Sequence, residues 1–205
     1  MKPDHNVLIA IPAKNEQDLI GLTIMKVAPF GDVFVFDNNS NDKTSSVSVA
    51  LGAKVVRSSV DGYEQVLFHI CKYFLDSHYE ILVIIDGDGE VGLSELPVGL
   101  EMIDSYDGVV GTRDIKKRIA ERLIARLFYL RTGISDIYCG FKILKKSGLA
   151  YRFRSNTFAT GIINKRARFA NIPVEVRPRV GTRLGGEILI QVKLFWCGLR
   201  GLILR

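Results

Sequence analysis

Short, largely apolar runs alternate with segments of helical periodicity through the first 113 residues. The runs occupy residues 7–11, 33–36, 54–57, 81–85 and 109–110. Between them, apolar residues recur three and four positions apart, as at Val66, Ile70 and Phe74. Runs of this length are typical of buried strands, and the intervening spacing is typical of amphipathic helices. The alternation therefore predicts an α/β fold in which helices flank a mostly parallel central sheet.

Capping signals and turn residues predict where the helices lie. Asn15 marks the start of the first helix, and the second runs toward Ala50. The third helix is predicted over residues 63–75. Ser94 is a suitable cap for a fourth helix, which would carry Pro97 in its first turn.

Charged residues follow several of the predicted strands. Asp37, Asp86, Asp88 and Arg113 all fall at the carboxyl end of a strand. In parallel sheets ligands bind beyond these ends, so we expect the four side chains to serve one binding site. An acid there can accept a hydrogen bond from a ribose hydroxyl or a base edge. Residues 38–42 also have the composition of a turn and a helix cap.

The segment DGDGE, residues 86–90, directly follows the apolar run at 81–85. Asp86 and Asp88 are two positions apart where the chain turns, and the glycines let the backbone approach closely. Both carboxylates can therefore converge on one hard cation, with Glu90 as a third ligand. Mg²⁺ and Mn²⁺ favour a few carboxylates together with phosphate oxygens. The alternative is an acidic turn without a ligand, since Asp-Gly pairs are common in turns.

The two halves of the chain carry opposite charge. Residues 1–110 contain 7 Lys/Arg and 17 Asp/Glu, whereas residues 111–205 contain 21 Lys/Arg and 5 Asp/Glu. A basic half of this strength favours an anionic partner, which is a phosphate, a nucleic acid or an anionic lipid. Arg118, Arg122 and Arg126 are spaced as a stripe along one helix face.

The cysteines and the apolar runs limit the class of protein. Cys71, Cys139 and Cys197 show no paired spacing, which argues against a disulfide framework or a zinc site. The apolar run before Pro12 is too short for a signal peptide, and no run of 18 uncharged apolar residues predicts a membrane span. We therefore expect a cytoplasmic protein.

Six segments occur in the order and approximate spacing of family 2 glycosyltransferases. They are IPAKNE, FDNNSNDKT, IIDGDGE, VVGTRD, SDIYCGFKILKKS and IPVEVRPRVGTRLGG. Together they resemble most closely the dolichyl-phosphate mannosyltransferase and polyprenyl-phosphate glycosyltransferase group. Each motif is weak alone, and the six in order make the resemblance specific over residues 5–186.

The resemblance implies a GT-A nucleotide-sugar-binding fold over residues 1–186. It also implies a metal-dependent, inverting transfer of a sugar from a nucleotide diphosphate sugar to a polyprenyl or dolichyl phosphate. GDP-mannose is the favoured donor, a UDP-sugar is the alternative, and Mg²⁺ or Mn²⁺ is the cofactor. Residues 187–205 are expected to form a C-terminal amphipathic helix, either at a membrane interface or packed on the core. An anionic membrane is thus an expected peripheral partner, and nucleic acid is not.

The resemblance assigns five residues to the nucleoside. Pro12, Ala13 and Glu16 would line its pocket, and Asp37 would meet the base or the ribose. Asn38 stands where the family has a second acid. Ala13 stands where the family often has an aromatic residue, which predicts weaker stacking on the base.

The resemblance assigns further residues to the reaction itself. Asp86 and Asp88 would form the D-x-D pair, with Asp88 and Glu90 nearest the metal. Arg113 would face the diphosphate or the sugar, and Asp136 would lie on the acceptor side. The expected catalytic residues are therefore Asp88, Arg113 and Asp136.

Basic residues would hold the phosphates of donor and acceptor. Arg179 and Arg183 match a loop that folds over the donor phosphates. The acceptor phosphate would be held by Lys116, Lys117, Arg118, Arg122, Arg126 and Arg131. The segment FATGIINKRA lacks the acid that many members carry there. A phosphate acceptor, with a second pKa of about 6, is already anionic and needs no base, so the missing acid favours it, although Asp136 stays a candidate base.

Two alternative functions are compatible with these motifs, and two others fit them poorly. One is a glycosyltransferase with a non-lipid acceptor, and another is a catalytically silent scaffold that binds a nucleotide sugar. GTRLGG at 181–186 resembles a sugar nucleotidyltransferase signature, but that signature belongs after the first strand. A nucleic-acid-binding module would leave DGDGE unexplained, and the basic segments lack aromatic residues for base stacking.

Overall fold

A computed structural model gives the structure of the chain over most of its length. It describes residues 6–58, 62–89, 92–113, 126, 129–150, 162–164 and 166–176. Within this part, seven strands form one sheet in the order β3-β2-β1-β4-β6-β5-β7. The strands are β1 (Val7–Ala13), β2 (Asp32–Asp37), β3 (Lys54–Arg57), β4 (Ile81–Ile85), β5 (Gly108–Arg113), β6 (Phe141–Lys145) and β7 (Phe169–Val174).

Four strand pairings are parallel and two are antiparallel. The parallel pairs are β1–β2, β1–β4, β2–β3 and β5–β7. Strand β6 runs antiparallel to both of its neighbours, β4 and β5. The predicted mostly parallel α/β sheet and its first five strands are confirmed, whereas β6 and β7 were not predicted as strands.

Helices cover both faces of the sheet, and four of them have both ends within the described residues. They are α1 (Ile20–Val27), α2 (Thr44–Ala50), α3 (Tyr63–Asp76) and α4 (Leu96–Met102), with short 3₁₀ turns at Ala28–Phe30, Ile103–Ser105 and Lys146–Gly148. The buried residues of α1 and α4 pack on one face, and those of α3 pack on the other. Residues of β1 alternate between the two cores, as a strand requires: Ile9 and Ile11 enter the first, and Leu8 and Ala10 enter the second.

Two predicted helix starts are wrong by a few residues. Asn15 does not begin α1, because its φ of 57° is left-handed and its side chain accepts a hydrogen bond from the Asn41 backbone. Ser94 does not cap α4. Its hydroxyl donates to the Glu95 carboxylate, and Glu95 occupies the cap position. Pro97 lies in the first turn of α4, as predicted.

In the part of the chain that the structure describes, no helix combines the length and the apolar character needed to cross a bilayer.

Asp107 joins three strand ends on the side of the sheet where β5 begins. Its carboxylate accepts hydrogen bonds from the Ser147 hydroxyl at 2.6 Å and from the Arg168 backbone N–H at 2.8 Å. Its backbone exchanges hydrogen bonds with Lys145 and Arg168. The bonds from Ser147 and Arg168 hold the pKa of Asp107 below its ordinary value of 3.8.

We expect Asp107→Ala to lower the free energy of unfolding by about 1–3 kcal/mol at pH 7, since it removes two hydrogen bonds to a charged group. A lowered pKa contributes stability that is present above the unfolded-state pKa and is lost as pH falls through the folded-state value. Urea unfolding at pH 7 and below pH 4 should therefore show the difference from wild type shrinking in acid. Glu101→Ala, at an exposed acid of α4, is the control, and a difference that does not change with pH would contradict this account.

Candidate active site

One edge of the sheet gathers the residues that the sequence singles out. The carboxyl ends of β1 to β5 and β7 meet there, and the reversed direction of β6 brings its amino end to the same place. We call this the carboxyl edge. It carries the loop after β1, the loop after β2, the DGDGE segment after β4, Arg113 at the end of β5, and the turn at 136–140 before β6.

Hydrogen bonds join the loop after β1 to the loop after β2. The Asn15 N–H donates to the Ser40 hydroxyl, and the Asn15 side chain accepts from Asn41, both at 2.9 Å. Asn15 and Asn39 both adopt left-handed φ values, 57° and 55°, which asparagine tolerates better than most residues. The two loops therefore behave as one unit beside the ends of β1 and β2.

Thr44, the first residue of α2, also joins these two loops. Its hydroxyl accepts from the Glu16 N–H at 2.9 Å and donates to the Asp42 carboxylate at 2.5 Å. Asp42 also accepts from the backbone of Gln17 at 3.2 Å. Hydrogen bonds from Thr44 and Gln17 outweigh desolvation and lower the pKa of Asp42. Much of the polar segment after β2 thus stabilises the two loops, in keeping with the predicted turn. The cap position of α2 is Lys43, outside the predicted segment, and it makes no side-chain capping bond.

Asp37 and Asn38 lie buried at the end of β2. The Asp37 carboxylate accepts from the Ser40 N–H at 2.9 Å and from the Ser45 hydroxyl. The Asn38 N–H donates to the carbonyl of Ala13, which ties the ends of β1 and β2 together. Pro12 and Ala13 are buried in β1, and Glu16 is half-buried in the loop that follows. These five residues therefore lie around the paired ends of β1 and β2.

Two buried oxygen atoms beside Asp37 have no hydrogen-bond partner among the described residues. They are Asn38 Oδ1 and Ser58 Oγ, in residues that are 8% and 1% exposed. Ser58 follows β3, and its N–H donates to the Asp37 carbonyl at 2.9 Å. Leaving a buried polar atom unpaired costs about 1–3 kcal/mol. A ligand with polar groups would satisfy both atoms.

Asp86 and Asp88 follow β4, and both are half-buried. Asp86 Oδ1 accepts a hydrogen bond from the Tyr63 hydroxyl at 2.7 Å. Desolvation, then the charges of Asp86, Glu64 and Asp88, raise the pKa of Tyr63 well above its ordinary value. The Asp86 carboxylate of the D-x-D pair is therefore held by the Tyr63 hydroxyl.

The described acidic residues could bind a small divalent ion only if a substrate supplied further oxygen ligands. Within the described ranges, no group of three or more His, Cys, Asp and Glu residues is arranged to hold a metal. Glu90, the third predicted ligand, lies outside those ranges. Mg²⁺ and Mn²⁺ often use one or two carboxylates and take their other oxygens from phosphate and water. Asp86 and Asp88 are a donor set of that kind.

Arg113 and Asp136 form a buried ion pair next to this segment. Arg113 Nε and Nη2 donate to the two carboxylate oxygens of Asp136 at 2.8 and 3.2 Å. The Asp136 side chain is 3% exposed and that of Arg113 is 16% exposed. A two-pronged pair of this kind fixes the plane of the guanidinium. The structure thus brings together the two residues that the motifs assigned separately to donor and acceptor.

Two sets of contacts that support the site could not be predicted from the sequence. Asn171 of β7 accepts from the Ser135 N–H and hydroxyl, both at 2.8 Å, and donates to the Gly133 carbonyl at 2.7 Å. Lys142 of β6 is 1% exposed and donates to the Cys139 carbonyl. Together these contacts hold both ends of the segment that carries Asp136.

Several predicted functional residues lie outside the described part of the chain. They are Glu90, Lys116, Lys117, Arg118, Arg122, Arg179 and Arg183. The segment 187–205 also lies outside it. Arg126 and Arg131 are described and exposed.

A family model confirms the class that these residues indicate. The model described as Glycosyl transferase family 2 matches residues 8–167. That match covers most of the chain, which therefore belongs to glycosyl transferase family 2 and is a glycosyltransferase.

Two curated relatives are similar over about half of this chain. Protein RfbJ of Shigella flexneri is 34% identical over 121 residues, which are 55% of this chain and 89% of that protein. Undecaprenyl-phosphate mannosyltransferase of Micrococcus luteus is 30% identical over 118 residues, which are 53% of this chain and 49% of that protein. The match thus spans nearly all of the first relative and about half of the second.

Solved structures share the fold at low sequence identity. One is glucosyl-3-phosphoglycerate synthase from Mycobacterium tuberculosis with Mn²⁺, UDP-glucose and glycerol 3-phosphate. It is 16% identical, with a TM-score of 0.72 over 98% of this chain and 79% of that chain. Mannosyl-3-phosphoglycerate synthase from Rubrobacter xylanophilus is 14% identical, with a TM-score of 0.71 over 97% and 72% of the two chains. The GT-A fold predicted from the motifs is confirmed.

Thr44→Val should loosen the two joined loops, because it leaves the Glu16 N–H without its partner. We expect a loss of about 1–3 kcal/mol in the free energy of unfolding and weaker binding of GDP or UDP. Thr44→Ser is the matched control, since it keeps the hydroxyl and loses one methyl group, worth about 0.8 kcal/mol. Urea unfolding and calorimetric nucleotide titration would measure both effects. Equal behaviour of the two variants would show that the hydroxyl does not hold the loops.

Proposed function

We propose that the protein transfers a sugar from a nucleotide diphosphate sugar to a polyprenyl or dolichyl phosphate, with Mg²⁺ or Mn²⁺ as cofactor. The observation that carries the proposal is the meeting of three groups at the carboxyl edge. Asp37 and Asn38 suit a nucleoside, Asp86 and Asp88 suit a metal-bound diphosphate, and Arg113 suits a second anion.

The nucleoside would bind at the paired ends of β1 and β2. Pro12, Ala13 and Glu16 would form its walls, and Asp37 would accept a hydrogen bond from the base or the ribose. Asn38 Oδ1 is buried and has no partner among the described residues, which supports this placement, because a ligand N–H or O–H would satisfy it. GDP-mannose is the favoured donor, in line with the relative that is named a mannosyltransferase. A UDP-sugar is the alternative.

The diphosphate would lie over the loop after β4. Asp86, Asp88 and Glu90 would hold the metal ion, which when bound would neutralise the charge on the leaving diphosphate. Arg113 would face the diphosphate or the sugar, and Arg179 and Arg183 would cover the phosphates. Because Asp136 binds one edge of the Arg113 guanidinium through Nε and Nη2, this charge is in place before the donor arrives.

The acceptor would be a phosphate whose oxygen attacks the anomeric carbon. The new carbon–oxygen bond forms as the bond from that carbon to the diphosphate breaks, so the configuration inverts. A phosphate monoester has a second pKa of about 6 and attacks as an anion. Both carboxylate oxygens of Asp136 accept hydrogen bonds from Arg113. This supports a role for Asp136 in positioning Arg113 and not as a general base. The name of the undecaprenyl-phosphate mannosyltransferase supports a polyprenyl phosphate.

Membrane contact belongs to the same proposal. A polyprenyl phosphate lies in a bilayer, so the protein would reach it from the surface. The basic residues at 116–131 and the amphipathic segment at 187–205 would make peripheral contact with anionic headgroups.

Asp136→Asn tests the positioning role. We expect transfer to fall about 10- to 100-fold, because Arg113 loses its fixed orientation. The residual activity should still rise with pH near 6, as in wild type, because the acceptor phosphate supplies that ionisation. The pH profiles of kcat/KM for wild type and variant would be compared. Loss of the rise in the variant would instead make Asp136 the general base.

Transfer of label into an organic phase tests the whole proposal. The purified protein would be incubated with Mn²⁺ or Mg²⁺, polyprenyl phosphate, and labelled GDP-mannose, UDP-glucose or UDP-N-acetylglucosamine in turn. We expect metal-dependent transfer from one donor, and a loss of at least about 100-fold in Asp88→Ala. Asp76→Ala, at an exposed acid at the end of α3, is the control.

Parallel reactions with soluble acceptors distinguish the alternatives. Transfer to glycerol 3-phosphate or phosphoglycerate, followed in the aqueous phase, with none to polyprenyl phosphate, would replace the lipid acceptor with a soluble one. Donor binding without transfer to any acceptor would indicate a silent scaffold. Full activity in Asp88→Ala would overturn the metal assignment.

A further inference from the structure

Tyr63 is the first residue of α3, and it reaches across to the end of β4. Its hydroxyl donates to Asp86 Oδ1 at 2.7 Å. The residue as a whole is 43% exposed, and its hydrogen bond to Asp86 is the contact that fixes the position of the hydroxyl. Gly62 directly before it has a φ of 113°, a backbone conformation that favours glycine and that turns the chain into the helix. The local structure therefore places the hydroxyl of Tyr63 at the carboxylate.

Gly140 packs against the same carboxylate from the other side. A Cβ at Gly140 would overlap Oδ2 and Cγ of Asp86. Only glycine lets the backbone before β6 come this close to the side chain. The Asp86 carboxylate is thus held between α3 and β6, with one oxygen bonded to Tyr63 and the other against Gly140.

The kind of donor matters for what Asp86 can do. Arg113 is a cation, and its pairing with Asp136 offsets the charge of that carboxylate. The phenol of Tyr63 is neutral, so its hydrogen bond orients Asp86 without adding a positive charge beside it. Groups that hydrogen-bond to a metal ligand and fix its rotamer commonly change metal affinity 10- to 100-fold.

We propose that Tyr63 is a positioning residue for Asp86, and that its hydroxyl sets the affinity of the site for the divalent cation that accompanies the nucleotide. This inference rests on the proposed function, in which Asp86 and Asp88 hold that cation. Without the hydroxyl, the Asp86 side chain loses the hydrogen bond that fixes its orientation. The effect falls on cation binding, because Tyr63 acts on the carboxylate.

The test is Tyr63→Phe, which removes one oxygen and keeps the ring. Mn²⁺ would be titrated by electron paramagnetic resonance in the presence of GDP and, separately, UDP. We expect the dissociation constant for Mn²⁺ to rise about tenfold, with the variant still fully folded at the assay temperature by thermal unfolding. In turnover, the KM for Mn²⁺ should rise while kcat at saturating Mn²⁺ is kept.

Tyr73→Phe is the matched control on the same helix. Tyr73 is 36% exposed, and its ring lies 5.4 Å from that of Phe34, in the aromatic cluster at the far end of α3. Removal of its hydroxyl should leave Mn²⁺ binding as in wild type. An equal loss in both variants would mean a general effect on α3 and would overturn the inference.

Asp88→Ala separates this inference from the proposed function. Equal Mn²⁺ affinity in wild type and Tyr63→Phe, with binding lost in Asp88→Ala, would overturn the role of Tyr63 alone. Mn²⁺ binding that survives in Asp88→Ala, or that is absent in wild type, would overturn the metal site and the inference with it.

Discussion

The antiparallel pairing of β4 with β6 fixes the geometry on which the rest of the site depends. Ile85 pairs with Phe141, so the residues that follow β4 and precede β6 meet at the carboxyl edge. This register brings Asp86 against Gly140 and places the turn that carries Asp136 beside Arg113. A shift of one residue would turn every side chain of β6 to the opposite face, so both contacts would be lost together.

Preorganisation is the common feature of the three parts of the site. The loops after β1 and β2 are joined by side-chain hydrogen bonds, Asp136 fixes the guanidinium of Arg113, and Tyr63 fixes Asp86. Groups held in place in this way need little reorganisation when charge develops in a reaction. Loops on a rigid scaffold commonly carry the functional residues of a protein. Here many of the polar side chains in these loops form hydrogen bonds that stabilise the loops themselves.

The sequence predicted the first half of the sheet better than the second. The runs that became β1, β2 and β4 are uninterrupted and apolar, so their assignment needed no tertiary information. Strand β6 contains Lys142, whose buried position depends on a carbonyl supplied by Cys139. Strand β7 contains Pro173, which an edge strand tolerates. Neither exception follows from local pattern. Site residues at strand ends could also be predicted from the sequence, namely Asp37, Asp86, Asp88 and Arg113. The contacts made by Tyr63 and Asn171 could not, because they depend on how helices and strands pack together.

A crystal structure with Mn²⁺ and GDP or UDP, with the ion located by its anomalous scattering, would show whether the site is assembled before its ligands bind. We expect the ion at Asp88 beside the diphosphate and the nucleoside at Asp37 and Asn38. We also expect the hydrogen bonds from Tyr63 to Asp86 and from Arg113 to Asp136 to be unchanged. An ion bound elsewhere, or a nucleotide that binds only after these contacts break, would contradict a site assembled in advance at the carboxyl edge.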